Sequence, residues 1–89
     1  MRKADTTPRR VLVTSPRQVG EILRGRRKAN ALSQAQVATK LNVSQSRLSV
    51  LEGDPSAMPL DRFLALTKLL GFEIVLQEKP ASPPRKTEW

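Results

Sequence analysis

Apolar residues recur at helical spacing in four successive segments of the chain. Val19, Ile22 and Leu23 share one face of the first, with basic side chains on the others. Ser15-Pro16 predicts its start, Ser as N-cap and Pro in the first turn, and Asn30 closes it. The second has Ser33 as cap, with Gln36 three residues on completing a capping box. Its stripe is Val37, Ala38 and Leu41, and Asn42 suits a left-handed ending. Ser44 caps the third, which turns Leu48 and Leu51 inward and stops at Gly53-Asp54-Pro55. Pro59 opens the fourth, whose broad apolar face is Leu60, Phe63, Leu64, Leu66, Leu69 and Leu70, with Gly71 as C-cap. The period then changes. Phe72-Glu73-Ile74-Val75-Leu76-Gln77 alternates and is rich in β-branched residues, which predicts a strand.

A lone strand leaves its backbone groups unpaired. Val11-Leu12-Val13 could pair with it inside the chain, or the same strand of a second copy could pair with it across a two-fold axis. The second solution also enlarges a core that about 65 residues build only marginally. The expected fold is therefore mostly α: four to five helices, then one C-terminal strand pairing across a homodimer through Phe72, Ile74, Val75 and Leu76.

The 89 residues carry 16 Lys and Arg against 8 Asp and Glu, a net charge of +8. Residues 1–28 alone hold nine basic side chains and two acids, while residues 29–79 balance. Such a footprint predicts a polyanionic partner, nucleic acid first. Three regions follow: a basic, flexible N-terminal arm over 1–14, a folded domain over 15–78, and a disordered Pro-rich tail over 79–89 ending on the sole tryptophan, Trp89. Cys and His are both absent, so no disulfide, thiolate metal site or Ser-His or Cys-His nucleophile can form within the chain. The composition argues against an enzyme and calls for no cofactor or metal. No apolar run is long enough for a membrane span or a signal peptide, and the expectation is a cytoplasmic protein.

The stretch from Gln34 to Gly53 carries most of the functional information. Val37, Ala38, Leu41, Val43, Leu48 and Leu51 are spaced to lock one helix across another, with small Ala38 at the crossing and Asn42 at the turn. The outer face of the third helix is then free for a major groove. Residues 17–71 resemble the Xre/Cro-CI helix-turn-helix domain, through Leu32-Ser33-Gln34-Ala35-Gln36-Val37-Ala38 and Val43-Ser44-Gln45-Ser46-Arg47-Leu48-Ser49-Val50-Leu51-Glu52-Gly53. Ser15-Pro16, the segment 72–76 and the ending Glu88-Trp89 widen the resemblance to HipB-type antitoxins.

The resemblance implies that Ser44, Gln45, Ser46 and Ser49 contact base edges. Gln45 is suited to a bidentate pair with adenine. Gln34, at a helix N-terminus, and Arg47, Arg17, Arg26, Arg27 and Lys28 are the phosphate candidates. Glu52 reads as structural. Also implied is an antitoxin that represses its own operon as a homodimer on a palindromic operator and binds a HipA-like serine/threonine kinase toxin, with Trp89 as a contact. The alternative is a stand-alone Xre-type repressor. An RNA-binding role is disfavoured, because two Phe, one Trp and no Tyr offer no stacking platform.

Overall fold

The computed structural model describes residues 9–81. Residues 1–8 of the arm and 82–89 of the tail, Trp89 included, lie outside the described residues. Four α-helices follow one another: α1 (Pro16–Ala29), α2 (Gln34–Leu41), α3 (Gln45–Gly53) and α4 (Leu60–Leu69). A 3₁₀ turn, Pro55–Ala57, links the last two.

Local side-chain chemistry sets the helix starts. Ser15 Oγ accepts from Gln18 N, Ser33 and Gln36 form a reciprocal capping box, and Ser44 Oγ accepts from Arg47 N. Three of the ends share one device. After α1, Ala31 N–H donates to Lys28 O and Leu32 N–H to Arg27 O. After α2, Asn42 N–H donates to Thr39 O and Val43 N–H to Ala38 O; after α4, Gly71 N–H donates to Lys68 O and Phe72 N–H to Thr67 O. Each pair satisfies carbonyls that the helix leaves open, and each needs a left-handed residue: Ala31 (φ 58°), Asn42 (φ 60°) and Gly71 (φ 89°). Alanine is the poor fit, since a Cβ costs about 1–2 kcal/mol in that region. Ala31→Gly is therefore expected to stabilise the domain by about 0.5–1 kcal/mol, after the entropy glycine loses on folding. A rise in Tm of a few degrees checks this; a fall contradicts it.

The core is Leu23 of α1, Val37, Ala38 and Leu41 of α2, Leu48 of α3, and Leu66 and Leu70 at the end of α4. Val19, Leu32, Val43, Met58, Phe63, Leu69 and Phe72 pack around it. Helix α3 contacts both α1 and α2, and α4 closes the far side of α2. Arg62 of α4 donates to Leu41 O, placing a cation at the negative end of α2. Leu60 and Leu64 depart from the expected apolar face and remain exposed. The core is filled without them.

The C-terminal segment differs from the expectation more deeply. No strand occurs among the described residues. Residues 72–81 run without a ladder, and no backbone hydrogen bond joins 11–13 to 72–77. Next to the first segment, Arg10 Nη1 donates to Gln77 Oε1 at 3.1 Å. The physical reason is a missing partner: alternating sequence favours extended backbone, but one copy offers no edge to pair with. Ile74, Val75 and Leu76 are left 48%, 69% and 96% exposed.

Candidate nucleic-acid interface

Close packing of α1 on the end of α3 organises the site. A Cβ at Gly20 would lie 2.5 Å from the Glu52 carbonyl oxygen, so glycine permits this approach. One and two turns further along α1, Arg24 and Arg27 then face Glu52. Arg27 and Glu52 are both buried, and the guanidinium grips the carboxylate twice, Nε to Oε2 at 2.6 Å and Nη2 to Oε1 at 3.2 Å. Arg27 Nη1 also donates to Leu32 O, tying down the turn before α2. Gln34, the first residue of α2, donates from Nε2 to Glu52 Oε1 at 3.0 Å. Arg24 Nε stands 4.0 Å from the same oxygen and stays half-exposed. Glu52 thus joins α1, the start of α2 and the end of α3. Burial alone would raise its pKa. The hydrogen bonds from Arg27 and Gln34, with the charges of Arg27 and Arg24, more than reverse that and hold it below the usual value.

The network corrects one expectation. Arg27 is committed inside the domain and is not a surface phosphate ligand; removing it from Glu52 would strand a buried charge. Arg26, exposed on a different side of α1, donates from Nε to Leu70 O at 2.9 Å with its guanidinium over the Phe72 ring. Glu52, near the end of α3, is held in this buried pair.

The remaining candidates are on the surface. Ser44, Gln45, Ser46, Arg47 and Ser49 are all exposed at the start of α3. Ser44 has two occupations, capping Arg47 N at 3.0 Å and meeting Ser46 Oγ at 3.3 Å. Arg17 and Lys28 are exposed on α1, Arg17 in a 3.7 Å pair with Glu21 that solvent weakens. Gln34 is half-buried, its amide held by Glu52 and its backbone N–H in the first turn of α2.

Two surface residues were missed by sequence reasoning. Val50 is 57% exposed next to Ser49, where an apolar side chain suits a thymine methyl. Its position off the Leu48–Leu51 stripe was the available signal. Arg24, one helical turn before Lys28, was passed over among its basic neighbours.

The N-terminal approach is also anchored. Gln18 Oε1 accepts from Thr14 N at 2.6 Å and Thr14 Oγ1 at 3.0 Å, while its Nε2 donates to Leu12 O at 2.9 Å. These bonds hold residues 12–14 against the start of α1. Among the described residues, no helix is long and apolar enough to cross a membrane and no group of acidic, His or Cys side chains is placed to hold a metal.

The likenesses of the chain are in keeping with this arrangement. No curated protein matches it. Among solved structures, it is similar to a chain of a HipB-O1-O2 complex, at 24% identity and a TM-score of 0.69, over 76% of this chain and 99% of that one. A chain of a HipA-HipB-O2-O3 complex is 23% identical with a TM-score of 0.70, over 79% of this chain and 99% of that one. An MDT protein gives the same values. At these identities the likeness establishes the fold. The family model described as a helix-turn-helix domain matches residues 18–78, most of the chain. The protein belongs to the helix-turn-helix domain family.

Proposed function

We propose that the protein is a sequence-specific DNA-binding antitoxin that represses its own operon as a homodimer and binds a HipA-like serine/threonine kinase toxin. The observation that carries the DNA reading is the exposed polar start of α3, carried on the core through Leu48, in a domain whose α1 also exposes Arg17 and Lys28. Ser44, Gln45, Ser46 and Ser49 would meet base edges, Gln45 being the side chain with two hydrogen-bonding groups for adenine. Gln34 would meet a phosphate through the N-terminus of α2, and Arg17, Lys28 and Arg47 through their charges. Arg27 does not belong in that set, for the reasons of geometry given above, and Arg26 is engaged with Leu70 O.

The dimer reading rests on residues 72–77, where Ile74, Val75 and Leu76 are bare in one copy. Phe72, Ile74, Val75 and Leu76 would pair with the same segment of a second copy and bury that surface. Two recognition helices would then lie about 34 Å apart on one face of DNA, which implies a palindromic operator. The toxin reading is supported by the likeness to a chain of a complex containing HipA and HipB, together with the ending on Trp89, an aromatic of the kind that anchors interfaces.

Affinity purification of the tagged protein from its native host, with and without Trp89, tests the proposal. A stoichiometric kinase-sized partner, weakened by removing Trp89, is the expected result. Recovery of the protein with DNA and no kinase contradicts the antitoxin reading and leaves a stand-alone repressor.

A further inference from the structure

Arg26 is a basic residue of α1 whose polar contacts lie within the domain. It lies at the C-terminal end of α1, with its side chain directed at the end of α4. Two donors converge on one acceptor there: Arg26 Nε at 2.9 Å and Asn30 Nδ2 at 3.1 Å both reach Leu70 O. A carbonyl has two lone pairs, and both are used. Leu70 O is at the negative end of α4, where a cation is favoured. The guanidinium also stacks on Phe72, 5.4 Å from the ring centroid. Between the two, Gly71 adopts φ 89°, and a Cβ there would lie 3.2 Å from Arg26 Nη2. The left-handed turn and the packed guanidinium therefore both call for glycine at 71.

This clasp acts where the chain leaves the helical domain. Residues 73–81 are all exposed, so the direction of the 72–77 segment is set at Leu70, Gly71 and Phe72. We infer that Arg26, with Asn30, is a positioning residue for assembly on DNA: it fixes the angle at which residues 72–77 depart from the end of α4 and so the spacing at which two copies read an operator. The inference rests on the proposed dimerisation through that segment. Arginine suits the role because one planar group bonds a carbonyl in its plane while stacking with its face; a lysine ammonium keeps the charge but does neither in fixed geometry.

Arg26→Lys and Arg26→Ala, made in the full chain, test it on palindromic duplexes obtained by selection with the unaltered protein. The half-sites are moved apart or together by one and two base pairs, and an isolated half-site is measured alongside at several salt concentrations. One base pair rotates a half-site by about a tenth of a turn, so a rigid dimer is expected to prefer one spacing by roughly tenfold. Both variants should flatten that preference to about twofold, with half-site affinity and its salt slope unchanged. Thermal melts identify any variant that fails to fold, and Asn30→Ala, which removes the second donor to Leu70 O and no charge, should flatten the preference in the same way.

Two results overturn the inference. One is a lower half-site affinity with a salt slope reduced by about 0.9 and the spacing preference intact, the signature of a phosphate contact. The other is no change in either quantity. If the unaltered protein is monomeric by light scattering and indifferent to spacing, the dimer reading itself has failed, and the inference falls with it before any variant is compared.

Discussion

Glu52→Ala is expected to destabilise the domain by about 3–5 kcal/mol, because it leaves the buried Arg27 guanidinium without its counter-charge. A domain of this size has a total stability of only about 3–10 kcal/mol, so much of the variant would be unfolded at room temperature. Denaturant unfolding followed by circular dichroism checks this. A loss below about 1 kcal/mol would contradict it, since that is the range of a solvated surface pair. The control is the double replacement of Arg27 and Glu52 by methionine, which removes both charges and keeps apolar volume. Buried pairs replaced in this way often prove neutral or more stable, so the double variant should lie well above Glu52→Ala. The same carboxylate predicts a pH dependence. Its pKa is depressed from about 4.5, so its contribution is fully present above that value and is lost as the pH falls through the lowered one. Stability should therefore hold through neutral pH and fall only in acid, and Glu52→Ala should remove that part of the acid sensitivity.

Gln45→Ala should cost about 1–3 kcal/mol of discrimination at one base-pair position, a factor of about 5 to 150 in affinity for the preferred sequence. Binding to unrelated DNA should change little, because that term comes from charges such as Arg17, Lys28 and Arg47, which the substitution leaves in place. Gln45 is exposed, and the N-cap of α3 is Ser44, so stability should be unaffected. Titration of the selected operator and of an unrelated duplex at the same salt concentration separates the two terms. Equal losses on both would exclude direct readout by Gln45.

The helices were legible because their signals are local. Ser15, Ser33 and Ser44 each bond a backbone N–H within three residues, and that geometry needs no knowledge of the rest of the fold. The Val37, Ala38, Leu41 and Leu48 stripe was equally plain. The fates of the arginines were harder to read, because Arg24, Arg26, Arg27 and Lys28 look alike as composition. Periodicity held the answer for one of them: Arg27 lies four residues after Leu23 and eight after Val19, on the apolar face, and such a position demands a buried acid. Glu52, next to the inward Leu51, is that acid, but the pairing spans 25 residues and is visible only in three dimensions. Arg26 was hidden for the same reason, its partner Leu70 lying 44 residues away. Ala31 was unreadable because nothing in alanine announces a left-handed residue. The alternation over 72–77 predicted a strand, and none forms among the described residues. Whether that backbone becomes a strand depends on a second edge, and one chain does not contain it.

Selection of DNA ligands from a random duplex library by the purified full-length protein tests the central claim most directly. The account predicts enrichment of a palindrome whose half-sites are centred about 10 base pairs apart, with the position read by Gln45 losing its base preference in Gln45→Ala. Enrichment of nothing beyond bulk DNA, or of a single non-repeated site bound by one copy, would contradict it.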